Sequence, residues 1–290
     1  MELVHDIASL RAQLARWQQA GKRWGLIPTM GNLHAGHLSL VRLAQAEVDC
    51  VVVSIFVNPL QFGEDEDFAQ YPRTLAADCD ALRRLGCDLV FCPDVSELYP
   101  AQGRQTRLQA DPQLASRFEG ALRPGHFDGV VTVVAKLFNL VQPHLAVFGQ
   151  KDYQQLCVIQ AMVADLNWPI ELLRGPIARD TDGLALSSRN QYLDARQRKI
   201  APQLYQVLQD LAHNLTQPLQ PLTDASPALC WQQLQADATE KLLALGFDAV
   251  DYIAWVDQER LTEVTVAEQP SVLLVVARLG TTRLLDNLEL

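Results

Sequence analysis

The chain reads as an α/β protein built on a doubly wound parallel sheet, with a smaller α+β domain towards its C-terminal end. Three observations carry this reading. Apolar, β-branched runs alternate with stretches of helical periodicity as far as Gly175. One of those runs, Cys50-Val51-Val52-Val53-Ser54-Ile55-Phe56-Val57, is continuous, as in strands covered on both faces. Beyond Gly175-Pro176, the candidate domain boundary, the order changes to two helical stretches followed by three strand-like runs.

The elements follow in order. Val4, Ile7, Leu10, Leu14 and Trp17 recur at helical spacing, and Gly21 ends that helix. Trp24-Gly25-Leu26-Ile27 is a short buried strand that leads through a Gly-punctuated loop into an amphipathic stretch, Leu38 to Ala46. After the Cys50–Val57 strand come a helix from Thr74 to Leu85, a strand Asp88–Phe91, a helix marked by Val130, Val134, Leu137 and Val141, and a strand His144–Phe148. A helix from Tyr153 to Asp165 and a strand Ile170–Leu173 complete the first domain. The second holds a helix from Asp194 to Leu211, a Pro-rich stretch Gln217–Pro227 that reads as a solvated linker, a helix from Leu234 to Leu245, and strands at Ala249–Val256, Ser271–Leu279 and Thr281–Leu285. In such sheets ligands bind at the carboxyl ends of the strands.

Composition narrows the function. With 290 residues, half of them apolar and 20% charged, the chain suits one large or two modest domains, and no apolar run approaches a membrane span. Met1-Glu2-Leu3-Val4-His5-Asp6 lacks the basic start and apolar core of a secretory signal, so a cytoplasmic protein is expected. Six cysteines form no C-x-x-C pair and read as reduced thiols rather than a disulfide framework. The net charge of -10 argues against a general nucleic-acid binder. Any site for a polyanion must therefore be assembled locally.

Five segments are polar where a core would be apolar. In Pro28-Thr29-Met30-Gly31-Asn32-Leu33-His34-Ala35-Gly36-His37 a strand, a loop and a helix start aim backbone N–H groups and a helix dipole at one spot. Two histidines three apart with a glycine between them suit a polyphosphate there, or are simply two surface histidines on a helical turn. Zinc lacks a matching acidic or cysteine ligand nearby. Phe56-Val57-Asn58-Pro59-Leu60-Gln61-Phe62 brings two amides to a strand end, able to bind hydroxyls or carboxylates, or to form an Asn-Pro turn. In Arg123-Pro124-Gly125-His126-Phe127-Asp128-Gly129, a loop before a helix, Arg123 or His126 holds an anion or joins a structural ion pair. Phe148-Gly149-Gln150-Lys151-Asp152-Tyr153-Gln154-Gln155 repeats the strand–Gly–helix order with a lysine in the first turn, where the dipole disfavours it; that points to phosphate rather than to a solvated surface lysine. Arg179-Asp180-Thr181-Asp182-Gly183-Leu184-Ala185-Leu186-Ser187-Ser188-Arg189-Asn190 offers hydroxyls and a guanidinium for a mobile phosphate clamp, or a helix cap.

Together these segments, with Tyr71-Pro72-Arg73-Thr74, resemble the pantoate–β-alanine ligase (pantothenate synthetase) family of the HIGH-motif nucleotidyltransferase superfamily. His34-Ala35-Gly36-His37 matches the HxGH signature, and Leu186–Asn190 falls where the superfamily's KMSKS-like loop is found. The strings run in the family's order from Ile27 to Leu193, with a weaker match to the C-terminus. The resemblance implies a Rossmann-like ATP- and pantoate-binding domain over residues 1–175 and a C-terminal lid domain over 176–290. It implies two steps: the pantoate carboxylate attacks the α-phosphorus of ATP, and the β-alanine amine then attacks the acyl adenylate.

Carried over residue by residue, His34, His37, Lys151 and Arg189 form the catalytic set, with His37 as proton donor or transition-state stabiliser. Met30, Gly31, Asn32, Leu33, His34, Ala35, Gly36 and His37 cradle ATP. Gly149, Gln150, Lys151 and Asp152 hold the nucleotide, the lysine on the phosphates and the aspartate on the ribose. The backbone of Ala178 and residues Leu186, Ser187, Ser188 and Arg189 complete that site. Gln61 and Gln155 bind pantoate, and Gln61 also helps place β-alanine; Asn58, Tyr71, Arg123 and His126 are further substrate-site candidates. The resemblance further implies that Mg²⁺ is bound through ATP phosphates with no all-protein metal site, and that the enzyme is a homodimer.

The chain departs from the family at Leu186, where methionine is usual, at Ala178, where valine is more usual, and in a longer stretch at 217–227. Three other readings are weighed against this one by the residues. Another HIGH-type adenylyltransferase with a phosphorylated acceptor calls for arginines or lysines where this chain has Gln61 and Gln155. A class I aminoacyl-tRNA synthetase needs a basic tRNA surface that the acidic balance denies. A non-catalytic nucleotide sensor has no need of acceptor-site amides.

Overall fold

Six strands form one parallel sheet in the computed structural model, which describes residues 1–63, 66–100, 106–216, 227–264 and 270–290. They are β1 (Glu2–Val4), β2 (Trp24–Thr29), β3 (Cys50–Ile55), β4 (Leu89–Phe91), β5 (Leu145–Gly149) and β6 (Glu171–Gly175), in the order β1-β4-β3-β2-β5-β6. All pairings are parallel. The chain winds outward from β2 through β3 to β4, then returns to the other side of β2 for β5. The order therefore reverses between β2 and β5, the crevice at which doubly wound sheets bind ligands. Both strands end in the polar segments picked out above: β2 at Thr29 and β5 at Gly149.

β3 is buried at every position, as its continuous apolar run predicts. Ile27, Val51, Val53, Val90, Leu145 and Val147 pack with Leu40, Val41 and Leu82 from the helices Ala35–Gln45 and Leu75–Leu85. The long helix His126–Val141 is buried along most of its length, and the Trp24 indole N–H donates to the Val141 carbonyl at 2.8 Å.

Several boundaries differ from the sequence expectation for physical reasons. Val4 is not helical: it ends β1, and Asp6 caps a helix Ile7–Gln19 by accepting the Ser9 N–H at 2.7 Å. A strand of three residues is too short to show alternation. His126 sits not in a loop but at the start of its helix, after Gly125 turns the chain with a φ of 79°. Likewise Ala35 opens the second helix inside the HxGH segment. Pro202 separates Ala195–Ile200 from Gln203–Thr216, where one helix was expected.

By internal packing the chain divides into two compact units, residues 1–150 with 154–176, and residues 151–153 with 177–290. The second unit has its own antiparallel sheet of β7 (Ala249–Asp257), β8 (Ser271–Leu279) and β9 (Thr282–Glu289). Helices Gln203–Thr216 and Pro227–Ala244 contribute Leu208 and Leu242 to a core with Phe247, Leu273 and Ala277. Of the expected linker Gln217–Pro227, residues 217–226 lie outside the described residues, and Pro227 opens a helix. Among the described residues, no helix is long and apolar enough to cross a membrane. Among the described residues no cysteine forms a disulfide, and four of the six are buried; burial pushes the Cys87 thiol up to about 12.

Candidate active site

The turn after β2 is built from its own residues and one buried carboxylate. The Thr29 hydroxyl donates to the Ser54 carbonyl at 2.8 Å and accepts the Gly31 N–H at 3.2 Å. Gly31 then takes a φ of 85° and Asn32 one of 52°, a reversal that a glycine permits. A Cβ on Gly31 would also stand 3.1 Å from the Ile55 side chain and 3.2 Å from Asp78 Oδ2. Asp78, only 3% exposed, accepts the N–H groups of Asn32 and Leu33 at 2.9 and 2.8 Å and lies 3.1 Å from the Thr74 hydroxyl. Of the amides that the strand–loop–helix order aims at a ligand, two are bonded to Asp78, a residue that no motif marks. Its one available signal was the spacing of Thr74 and Asp78 on a single helix face.

The histidine pair caps the following helix. His34 Nδ1 accepts the Gly36 N–H at 3.2 Å, and His37 Nδ1 accepts the His34 N–H at 3.3 Å, a reciprocal capping box. The rings lie 4.1 Å apart between centroids. An Nδ1 that accepts from backbone cannot carry the proton, so both neutral imidazoles bear it on Nε2. The turn thus presents two Nε2–H donors beside a helix N-terminus, a combination matched to phosphate oxygens.

The amide segment after β3 is held from beneath. Asn58, 1% exposed, donates to Gln61 Oε1 and the Gly129 carbonyl at 3.1 and 3.0 Å, and accepts the Tyr99 hydroxyl at 3.0 Å and the Leu60 N–H at 3.3 Å. Its hydrogen-bonding capacity is used within the protein, in aiming Gln61, whose Nε2 lies 3.0 Å from Met30 Sδ. Gly129 allows this because a Cβ there would lie 2.2 Å from the Leu60 carbonyl oxygen. His126 Nδ1 is 2.7 Å from the Gln61 carbonyl and its Nε2 is 3.1 Å from Arg123 Nη1, which fixes Nδ1 as the donor and Nε2 as an acceptor. Burial first, and the Arg123 charge second, push this histidine down to about 4. Arg123 also grips Glu66 with Nε and Nη2 at 2.7 and 2.6 Å. Burial raises the Glu66 carboxyl, but the Arg123 hydrogen bonds and charge overcome this and hold it below its ordinary value. Of the two options for Arg123 and His126, this is the ion-pair network. Tyr71 is buried against Phe62, ring centroids 5.9 Å apart.

Lys151 lies two residues before the helix Tyr153–Asp165, not in its first turn as the sequence suggested. Its side chain is 18% exposed, and Nζ is 4.0 Å from Asp152 Oδ1, beyond hydrogen-bond range. One helical position apart, Gln154 is buried and consumed by Glu119 N–H and the Leu114 and Arg117 carbonyls, whereas Gln155 is half-buried.

Residues 178–186 form a hairpin: the Ala178 carbonyl accepts the Leu186 N–H at 2.9 Å, and Gly183 turns the tip with a φ of 94°. Ser187 caps the 3-10 turn Ser188–Tyr192 through the Arg189 N–H at 3.2 Å, so the helix-cap option applies to that serine; Ser188 and Arg189 are half-buried.

Within the second unit Lys151, Ser187, Asn190 and Asp286 line one small recess, so two of the polar segments meet there. Within the first, a cavity of about 360 Å³ is lined by Gln61, Arg107, His126, Asp128 and Thr132 among others, but by none of the HxGH residues. Among the described residues, no group of three histidine, cysteine, aspartate or glutamate side chains is placed to hold a metal.

A doubly wound sheet with His-x-Gly-His at the turn after its central strand defines the HIGH-type class of α/β nucleotidyltransferase folds. Comparison with known proteins narrows it. The family model described as Pantoate-beta-alanine ligase matches residues 2–289. Pantothenate synthetases of Hydrogenovibrio crunogenus and Pseudomonas fluorescens are each 50% identical, over 99% and 100% of this chain and 98% of theirs. The crystal structure of pantothenate synthetase from Thermus thermophilus superposes with a TM-score of 0.87 at 44% identity, covering 99% of each chain. That of pantoate-beta-alanine ligase from Francisella tularensis, complexed with beta-gamma ATP and beta-alanine, gives 0.81 at 30% identity, covering 99% of this chain and 97% of that one. The chain belongs to the pantoate–β-alanine ligase family, and it is an enzyme, a ligase.

Proposed function

We propose that the enzyme condenses pantoate with β-alanine at the expense of MgATP. The pantoate carboxylate attacks the α-phosphorus, releasing pyrophosphate and forming pantoyl adenylate. The β-alanine amine then attacks the acyl carbon, loses a proton and expels AMP, leaving pantothenate. The observation that carries this reading is the histidine pair, each Nδ1 accepting a backbone N–H, at the switch point of the sheet. Phosphoryl transfer needs little beyond alignment and neutralisation of charge on the phosphate oxygens, and fixed N–H donors supply both.

In this proposal His34 and His37 contact the phosphates, His37 stabilising the leaving pyrophosphate. Lys151 and Arg189 add positive charge to the same polyphosphate. Met30–Leu33, Gly149, Gln150, Asp152, the Ala178 backbone, Leu186, Ser187 and Ser188 complete the nucleotide site. Mg²⁺ arrives on the ATP phosphates. Gln61 and Gln155 bind the pantoate hydroxyls. Neutral amides orient that substrate without a fixed cation beside its carboxylate, which would blunt the nucleophile. The network through Asn58, His126 and Arg123 supports Gln61, and the relative complexed with beta-gamma ATP and beta-alanine is consistent with a nucleotide and β-alanine as ligands. The reading includes a cytoplasmic homodimer, whose mass sedimentation would measure.

The test is pyrophosphate release from MgATP. It should depend on pantoate alone, while AMP release should require β-alanine as well. Pyrophosphate release driven by a phosphorylated acceptor would favour the adenylyltransferase alternative, and nucleotide binding without turnover would favour a sensor.

A further inference from the structure

Strand β9 carries a set of polar side chains that none of the polar segments above includes. Asn287, 2% exposed, donates from Nδ2 to the Lys151 carbonyl at 2.9 Å. Asp286, 4% exposed, accepts both Arg179 Nη groups at 2.6 and 2.8 Å and the Asn287 N–H at 2.8 Å. The Arg179 guanidinium lies 3.4 Å from the Tyr205 ring centroid, and it also donates to the Gly183 carbonyl at 3.1 Å. Glu289 Oε1 is 3.0 Å from the Tyr153 hydroxyl, and the Gln258 carbonyl is 3.3 Å from it. One strand therefore meets both the Lys151–Tyr153 turn and the hairpin that runs into Leu186–Arg189. These contacts lie within the second unit.

We infer that Asp286 and Asn287 are positioning residues: Asn287 fixes the backbone from which Lys151 projects, and Asp286 fixes the hairpin through Arg179. A strand packed on a hydrophobic core gains nothing for stability from two buried polar side chains that an apolar pair would not supply. What the dyad adds is direction. A lysine has a long flexible stem, so its ammonium can be aimed only if the backbone beneath it is held. Lys151, Ser187 and Asp286 line the same recess, so the two anchored segments meet there. This inference rests on the proposed role of Lys151 at the ATP phosphates.

A double-mutant cycle on the full-length enzyme tests it. Asn287→Ala should raise KM for MgATP about tenfold with KM for β-alanine within about twofold, the split expected when only nucleotide alignment is lost. In a Lys151→Ala background the same substitution should change KM for MgATP less than about twofold, because the group it aims is gone. Tyr153→Phe, which opens no cavity, should show a smaller effect with the same dependence on Lys151 and keeps the test available if Asn287→Ala fails to fold. Equal effects with and without Lys151, or parallel rises in both KM values, would overturn the inference. Should Lys151→Ala alone leave MgATP kinetics unchanged, the proposed function of the lysine fails first, and the failure is recognisable as that.

Discussion

Two strand–glycine–helix turns, after β2 and after β5, look alike in sequence but are supported differently. The first is closed on itself. Its histidines cap their own helix, and Asp78, fewer than fifty residues away, takes two of its amides. The second depends on the far end of the chain, where Asn287 and Glu289 hold Lys151 and Tyr153 from 136 residues away. The first turn presents backbone-locked rings, the second a long side chain on an anchored backbone. Rigid donors suit a charge whose position changes little; an aimed ammonium suits one that must be followed.

The largest effect should come from removing the carboxylate under the first turn. Asp78→Ala leaves two half-buried N–H groups without their acceptor and should cost about 2 kcal/mol of stability. It should also lower kcat/KM by about a hundredfold through misplacement of the histidines. Asp78→Asn keeps one acceptor oxygen and should fall between. Urea unfolding and steady-state kinetics measure the two losses; a stability loss with unchanged kinetics would reduce Asp78 to a folding element and weaken the contrast between the turns.

The support of Gln61 is sensitive to acid. His126 is held down to about 4 in the folded protein, against about 6.5 when unfolded. Between those values the unfolded chain binds a proton that the native state refuses, so stability should fall as pH drops from 6.5 towards 4. The loss should be on the order of 2 kcal/mol, with the steepest change in that window. Melting curves of the wild type and His126→Asn across pH 4–7 compare it, and the variant should show the shallower slope.

Adjacent glutamines sharpen the contrast at the second turn. Gln154 is occupied by three backbone groups, whereas Gln155, proposed above to bind pantoate, is half-buried. Gln155→Ala should raise KM for pantoate about tenfold, the worth of one or two hydrogen bonds, with KM for MgATP near its original value. Equal changes in both would count against neutral-amide recognition of pantoate.

The same contrast explains what was legible in the sequence. The parallel sheet, its switch point and the HxGH turn follow from local patterns: continuous apolar runs, glycine punctuation and a helix start. β1 was hidden because three residues carry no periodicity. The Arg123–His126 choice was undecidable because its outcome depends on Glu66, remote in sequence and unmarked by any motif. Asp78 had only a helical i,i+4 spacing to announce it. Asp286 and Asn287 had nothing, since a buried polar pair near a C-terminus looks like any edge-strand dipeptide until its partners are seen. Chemistry written within one turn can be read; chemistry completed from elsewhere in the chain cannot.

The smallest effect should come from restoring methionine at Leu186. The backbone of this residue is pinned, its N–H to the Ala178 carbonyl at 2.9 Å, and its side chain is half-buried. Leucine and methionine have similar volumes, and such exchanges cost less than about 1.5 kcal/mol even in cores. Methionine adds flexibility and polarizability against a flat aromatic surface such as adenine. Leu186→Met should therefore lower KM for MgATP by no more than about threefold and leave the melting temperature nearly unchanged. A tenfold change would mean that the side chain, rather than the hairpin backbone held through Arg179 and Asp286, sets the fit at this position. The anchoring that distinguishes the second turn from the first would then stop short of the serine–arginine loop.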